Sequence, residues 1–177
     1  MPVASEPFAY LVTWTCYGSR LHGDERGSVD RDHNIPGTLM LAYNAGLREW
    51  ERSQMKGKPF LIDPGSRFVI VHAISETCTF RGWALLAQNV RTNHVHVVLA
   101  ARDDPSRVLH DLKARSTRRL HETHLLGTAE RAWSRGGSTR GLFTSQSVEA
   151  GIDYALNRQG RALPTQEPPG WSIEPRV

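Results

Sequence analysis

The sequence predicts a single domain that combines strands and helices, and three patterns support this prediction. Residues 8–15 are aromatic and β-branched, the composition of a strand. Two further strand-like runs, 82–90 and 94–99, are joined by a short connection that favours an antiparallel hairpin. Helix-start signals followed by apolar residues at helical spacing recur after Pro64. The 177 residues suffice for one hydrophobic core but are too few for two comfortable domains.

Three segments are predicted to be helical. The first, 64–78, starts at a Pro-Gly-Ser sequence and continues with apolar residues at helical spacing. The second starts where an Asp N-cap precedes Pro105 at the first helical position. The third can be capped by Ser145 or Ser147, and Gly160 is suited to the position after its end. The predicted buried stripe of the second helix is Leu109, Leu112, Ser116 and Leu120.

Other segments lack a regular pattern. Glycines and alternating charges in 17–37 indicate a long loop, whereas 38–58 has no clean period and its structure is left open. A Gly-rich connection is expected over 133–141. The Pro-rich residues 164–177 are expected to form an irregular tail, so that the predicted domain comprises residues 1–163.

Charge and cysteine usage limit the function classes. The chain has 22 Lys and Arg against 18 Asp and Glu, and the basic residues are concentrated in 102–140, which favours a polyanionic partner. Cys16 and Cys78 lie far apart without a CxxC partner, so neither a thiolate zinc site nor a disulfide framework is indicated. No signal peptide and no apolar run of about 18 residues are present. We therefore expect a cytoplasmic protein without a membrane segment.

His94 and His96 are the most informative pair of residues. Two positions apart in a strand, they leave the same face, while Val95 and Val97 point to the other face. Two neighbouring imidazoles can share a divalent metal and leave room for a third ligand and substrate oxygens, as in catalytic sites. Histidine pairs on strands also occur as ordinary half-exposed residues, so the pair alone leaves both interpretations open.

Tyr154 is the candidate nucleophile. It lies about 200° from Ile152 around the last helix and therefore faces away from the core, with small Ala150 and Gly151 on its own face. Attack on phosphorus requires activation of a phenol whose ordinary pKa is about 10, and a dication on the scissile phosphate relieves that requirement. A surface tyrosine with a modest packing role is the alternative.

Taken together, the motifs resemble a known family, the HUH single-tyrosine transposases of small bacterial insertion sequences, including domesticated relatives associated with repetitive palindromes. The resemblance spans residues 8–160. It is carried by the first strand and following loop (10–14 and 17–24), Gly82-Trp83, Asn93–Val98 with its His-Val-His motif, Ser116–Leu120, and the tyrosine segment from Phe143 to Gly160.

The resemblance implies a ferredoxin-like α+β sandwich, an antiparallel sheet with helices packed on one face, usually assembled as a homodimer. It also implies cleavage of single-stranded DNA at hairpin-marked or palindromic ends. A 5′-phosphotyrosine at Tyr154 and a free 3′-hydroxyl would form, and the strands would be rejoined without ATP. Mg²⁺ or Mn²⁺ would be the cofactor, bound by His94 and His96.

The third metal ligand departs from the family pattern. Relatives place Gln or Asn one turn after the tyrosine, but four residues after Tyr154 stands Arg158, flanked by Asn157 and Gln159. In a regular helix Asn157 lies about 60° from Tyr154 and Gln159 about 140°, so helical geometry alone favours Asn157. Because Gly160 allows the helix end to loosen and relatives look alike at Gln-Gly, we nevertheless predict Gln159 as the third ligand.

The second helix is the predicted DNA contact. Phosphate neutralisation there would make affinity fall with salt, whereas the alternative is a solvated charged face. Trp133, Arg135 and Arg140 in the Gly-rich connection could stack on or clamp unpaired bases. The predicted phosphate-binding residues are Lys113, Arg115, Arg118 and Arg119.

Two other functions compete with an active transposase. The displaced third ligand is compatible with a domesticated or inactive relative that only binds hairpin or palindromic DNA. A replication or plasmid-transfer initiator nuclease also uses a two-histidine motif. The small size of the chain and the position of the tyrosine after the histidine pair argue against the initiator.

Overall fold

A computed structural model describes residues 6–19, 43–169 and 171. Most of the long loop predicted over 17–37 lies outside these residues. Within them, the chain forms four strands and four helices. In chain order these are β1 (Ala9–Thr15), α1 (Ala45–Ser53), α2 (Pro64–Arg81), β2 (Ala84–Val90), β3 (His94–Ala100), α3 (Pro105–Glu122), β4 (Ser138–Leu142) and α4 (Ser145–Asn157).

The strands form one antiparallel sheet in the order β2-β3-β1-β4. In this order the two central strands are the first and third of the chain. The connection from β1 to β2 contains α2, and the connection from β3 to β4 contains α3. This is the arrangement of a ferredoxin-like α+β sandwich, and it confirms the predicted fold class and hairpin.

The two faces of the sheet have different coverings. Alternate residues of the central strands, including Val12, Trp14, Val95 and Val97, are buried in the main core with α2 and α3. The opposite face carries a smaller apolar cluster in which Ala155 of α4 packs with residues of the sheet. The predicted helices α2 and α3 therefore share one face, and α4 lies on the face to which the histidines point.

Side-chain caps explain where the helices begin. Asp63 accepts a hydrogen bond from the Ser66 amide at the start of α2, and Asp104 caps α3 as predicted. The prediction that Ser145 or Ser147 caps α4 is wrong. Thr144 is the N-cap, and its hydroxyl accepts from the Ser147 amide while the Ser147 hydroxyl accepts from the Thr144 amide.

Two elements were not predicted from the sequence. β4 lies in the segment expected to be a Gly-rich connection, and its five residues gain strand structure by pairing with β1, as in the Leu11–Arg140 register. α1 lies in the segment left open, where Asn44 caps it by accepting from the Leu47 amide. No helix of the described residues is long and apolar enough to cross a membrane.

Candidate active site

β3 delivers the two histidines to the face of the sheet that α4 covers. The valines Val95 and Val97 are fully buried on the other side, so the strand cannot rotate without exposing them. The rings of His94 and His96 lie with their centroids 4.8 Å apart and nearly perpendicular. His96 is only 4% exposed. The predicted shared face is therefore present and held by the core.

Hydrogen bonds orient both imidazoles through their Nδ1 atoms. His94 Nδ1 lies 2.7 Å from the Asn93 side-chain oxygen, an acceptor that favours the tautomer with its proton on Nδ1. His96 Nδ1 lies 2.8 Å from the Thr13 hydroxyl, which can accept the same kind of proton. Such partners on the far nitrogen are typical of metal-binding histidines because they leave the Nε2 lone pair for the metal.

Gln159 reaches both histidines from the end of α4. Its side-chain oxygen lies 3.1 Å from His96 Nε2 and 3.4 Å from His94 Nε2. Its amide nitrogen donates to the Tyr154 main-chain oxygen at 3.0 Å, which turns the oxygen towards the imidazoles. Asn157, the alternative ligand, instead donates to Asp153 on the exposed side of the helix. The structure thus brings Gln159, and not Asn157, to the histidine pair.

The donor set at this point fits a divalent cation. In the tautomer that carries its proton on Nδ1, next to Asn93 or Thr13, each ring presents Nε2 as an acceptor that faces the Gln159 oxygen. A cation among three converging lone pairs removes their mutual repulsion, and imidazole nitrogen with amide oxygen suits Mn²⁺ or Mg²⁺. Within the described residues, no group of three or more His, Cys, Asp or Glu offers an alternative metal site.

Tyr154 lies beside the histidines. Its ring centroid is 5.3 Å from that of His96, and the side chain is 42% exposed, consistent with a face directed away from the core. Neighbouring residues dock α4 closely on the sheet. Ala155 is fully buried, and Gly151 contacts Leu142, where an added Cβ would lie 3.0 Å from a Leu142 methyl.

Polar contacts from β2 and its following turn hold α4 and the segment after it. The Asn89 amide donates to the Ala155 carbonyl at 2.7 Å, and Arg91 donates to the Arg161 carbonyl at 2.7 Å. Buried Arg67 donates to the carbonyls of Val90, Ile62 and Pro164. Gln159 therefore lies between two anchored stretches of chain.

These residues enclose an open cleft of about 740 Å³ between the sheet and α4. Among the described residues that line it, the charged side chains are Arg140 from β4 and Arg158 after α4, and none is Asp or Glu. The remaining lining residues are Leu11, Thr13, Thr15, His94, His96, Ser138, Leu142, Ser147, Ala150, Gly151, Tyr154 and Gln159.

The predicted DNA-binding cations of α3 lie outside the lining of this cleft, and all four have intramolecular partners. Lys113 donates to the carbonyls of Ser134 and Gly136, and its burial lowers the pKa of the ammonium. Arg115 and Arg119 both pair with Glu76, and the side chain of Arg119 is only 12% exposed. Arg118 pairs with Glu122 but is 71% exposed. Their contact with DNA stays a prediction.

Trp133 packs against the main core. Its ring packs edge-on against Trp14 and Phe60, with centroids 5.9 and 6.1 Å away. Its indole N–H donates to the Thr117 hydroxyl at 2.9 Å. Trp133 is half-buried against the core and its nitrogen is hydrogen-bonded, so it contributes to the core, and its stacking on unpaired bases stays a prediction. Arg135 is exposed outside the cleft lining.

The roles of several site residues were not predicted from the sequence. Thr13 and Asn89 were placed only as strand residues, because their partners lie 83 and 66 positions away in the chain. Asn93 directly precedes His94, and an amide next to a metal-binding histidine is a signal that the sequence itself contains.

The fold and the site define a ferredoxin-like protein with a paired-histidine centre and an adjacent helix-borne tyrosine. The sequence profile of the family described as Transposase IS200 like matches residues 58–148, which is 91 of the 177 residues. The chain belongs to this family. The matched region includes His94 and His96 and ends before Tyr154.

Known proteins were also compared at the levels of sequence and structure. No curated protein matches the chain significantly in sequence. A REP-associated tyrosine transposase bound to a REP hairpin is similar at 13% identity and a TM-score of 0.46, covering 85% of this chain. This chain spans 65% of the length of that transposase. A candidate transposase from Deinococcus radiodurans R1 is similar at 18% identity and a TM-score of 0.44, covering 88% of this chain and 93% of the other.

Proposed function

We propose that the protein is a metal-dependent transposase that cleaves single-stranded DNA and transfers strands through a 5′-phosphotyrosine at Tyr154. The observation that carries this proposal is the convergence of His94, His96, Gln159 and Tyr154 on one cleft. Each motif alone has an ordinary structural explanation. Their meeting in a member of the IS200-like transposase family supports the chemical role.

The proposed reaction is a transesterification. The Tyr154 oxygen bonds to phosphorus, the bond from phosphorus to the 3′ oxygen breaks, and the phenol proton passes to that oxygen as the 3′-hydroxyl leaves. One phosphoester replaces another, so the bond energy is retained and a later 3′-hydroxyl can reverse the step without ATP. The exposure of Tyr154 on the cleft allows a polymer strand to approach it.

The residues that would hold Mg²⁺ or Mn²⁺ are His94, His96 and Gln159. When bound, the ion would withdraw charge from the scissile phosphate and lower the barrier to attack. Thr13 and Asn93 hold the imidazoles in the required orientation, and the bond from Gln159 to the Tyr154 carbonyl couples the ligand to the tyrosine helix.

The substrate and assembly are proposed from the family resemblance. We expect the strand to carry a hairpin or palindrome at its ends, and we expect the protein to act as a homodimer. The described lining of the cleft supports a polyanionic ligand in general because its charged side chains are both arginines.

Adduct formation tests this function. The protein is incubated with Mn²⁺ and end-labelled single strands that carry a hairpin, and the products are separated under denaturing conditions. We expect a covalent protein–DNA band that Tyr154→Phe abolishes and that Tyr43→Phe, a matched change at an exposed tyrosine outside the cleft lining, leaves intact. A band that persists in Tyr154→Phe would disprove the assignment of the nucleophile.

The same experiment separates the second candidate, a relative that binds hairpin or palindromic DNA without cleaving it. Salt-sensitive binding with no adduct under Mg²⁺ or Mn²⁺ would favour that candidate. That candidate was suggested by Arg158, which stands where relatives place an amide ligand. Because the Gln159 oxygen lies close to both histidines, the site has an amide oxygen in spite of Arg158, and this argument for a binding-only relative is weaker.

A further inference from the structure

The guanidinium of Arg140 lies at the cleft and, unlike that of Arg158, has no acidic partner among the described residues. Among the described contacts, Arg140 forms no ion pair and its side chain donates no hydrogen bond, whereas Arg158, the other arginine of the cleft, pairs with Asp153 at 2.7 Å. The cations of α3 are likewise bound to acids or carbonyls of the chain. Within the part of the chain that the structure describes, Arg140 is thus a charged group at the cleft without a counter-charge.

The sheet register determines where Arg140 lies. Its partner across β1 is Leu11, and Leu11 in turn faces Val98, so Arg140 shares the face of the sheet that bears the histidines. His96 is paired with Thr13, two residues after Leu11 on β1. Standard strand spacings therefore separate the Cα atoms of Arg140 and His96 by roughly 12 Å. Both side chains border the same cleft from different strands.

The cleft also extends along α4. Its helical lining runs from Ser147 to Tyr154, a rise of about 10 Å at 1.5 Å per residue. Gln159 and the histidines lie beyond the Tyr154 end, whereas Arg140 follows Thr139 on β4, the strand that leads into the start of α4. A strand with its scissile phosphate at Tyr154 and lying along the cleft would bring a neighbouring phosphate to Arg140.

From this geometry we propose that Arg140 binds a backbone phosphodiester that neighbours the scissile one, and that this cleft, not the α3 surface, is the main path of the single strand. The proposal rests on the proposed function, of which it specifies the substrate path. An arginine fork can bind two phosphate oxygens at once and reads no base, so its contribution is the same for every sequence. Ser138 and Thr13 supply hydroxyls on the same face.

Binding without cleavage tests the proposal. Anisotropy titrations use a fluorescent single strand, the full chain with Tyr154→Phe, and a series of salt concentrations in EDTA and in Mn²⁺. Arg140→Gln is added to this background. Arg118→Gln, at a 71% exposed arginine on α3, tests the competing path over that helix. Arg52→Gln, at an exposed arginine of α1 outside the cleft lining, is the matched control. Arg140→Lys retains the charge, and thermal unfolding of each variant reports whether the fold is intact.

We expect Arg140→Gln to weaken binding about tenfold for two unrelated sequences. The slope of log affinity against log salt should lose about 0.7, the value for one phosphate of a single strand. Arg140→Lys should restore the slope, Arg52→Gln should change neither quantity, and Arg118→Gln should weaken binding less than Arg140→Gln does. Unchanged binding in Arg140→Gln, an equal loss in Arg118→Gln, or no binding of single strands by the parent would overturn the proposal. The adduct assay is separate, so a protein that binds through Arg140 but forms no adduct would refute only the proposed function.

Discussion

Gln159 donates a hydrogen bond from its side-chain amide to the main-chain carbonyl of Tyr154 at 3.0 Å, while its oxygen faces the two histidines. The candidate nucleophile and the candidate third ligand therefore belong to one hydrogen-bonded unit at the end of α4. Because α4 ends at Asn157, the chain can turn back towards the sheet within two residues, which a continuing helix would not allow.

The choice between the two amides leads to the first prediction. Gln159→Leu should weaken Mn²⁺ binding by about tenfold or more, because it removes the oxygen that faces both imidazoles. Asn157→Leu is the matched control and should have no effect, since Asn157 bonds only to Asp153 among the described contacts. Electron paramagnetic resonance titration of free Mn²⁺ measures both affinities. A larger loss of Mn²⁺ affinity in Asn157→Leu would instead identify Asn157 as the third ligand.

The second prediction concerns the orientation of His96. Thr13→Val keeps the shape of the side chain but removes the hydroxyl 2.8 Å from Nδ1, so Mn²⁺ affinity should fall by about 10- to 100-fold. Thr15→Val, in the same strand and also lining the cleft, is the control and should retain affinity. Equal affinities for Thr13→Val and the parent in the same titration would show that the hydroxyl does not orient the ring for binding.

Trp133 provides a third prediction, about stability. Trp133→Ala should lower the free energy of unfolding by about 3 kcal/mol, since the indole packs on Trp14 and Phe60 and bonds to α3. Trp50→Ala, at a residue that is 61% exposed, should lower it by less than about 0.5 kcal/mol. Urea denaturation followed by circular dichroism measures the difference. A stable Trp133→Ala protein with reduced affinity for single strands would instead support base stacking.

The cysteines lead to a prediction about pH. Burial raises the pKa of Cys16 to about 12 and that of Cys78 to about 11. At pH 8 the thiolate fraction of the folded protein is therefore on the order of 10⁻⁴ and 10⁻³, and a disulfide reagent should react with either thiol only after unfolding. Rapid reaction of the native protein at pH 8 would contradict the burial of both residues.

The same pKa shifts determine the sign of the alkaline response. Unfolded thiols ionise near pH 9, whereas the folded ones keep their protons to higher pH, so the unfolded state binds fewer protons in this window. The free energy of unfolding should fall as the pH rises from about 9 towards 12. In Cys16→Ala the free energy of unfolding, measured by denaturation at several pH values, should decrease less steeply over this range. An equally steep decrease would show that groups other than Cys16 cause it.

Local patterns in the sequence were sufficient for much of the framework. The alternation of strand residues predicted that His94 and His96 share a face and that Val95 and Val97 are buried, because successive strand side chains point to opposite sides. Helical spacing likewise predicted that Tyr154 faces away from the core, and Asp104 was recognised as a cap. Such features depend on residues within one or two turns of each other.

Only the tertiary structure decided the features that depend on distant partners. The strand β4 is short and contains glycine, and it exists because β1 supplies its hydrogen bonds. Gln159 contacts His96, 63 positions away in the chain, because α4 docks on the sheet. Arg119 forms an ion pair with Glu76, which lies on another helix. Periodicity reports which face a side chain takes, but the partner on that face is determined by packing. The sequence by itself therefore determined the strand pair of histidines and the tyrosine helix, and the fold decided which amide and which arginine stand beside them.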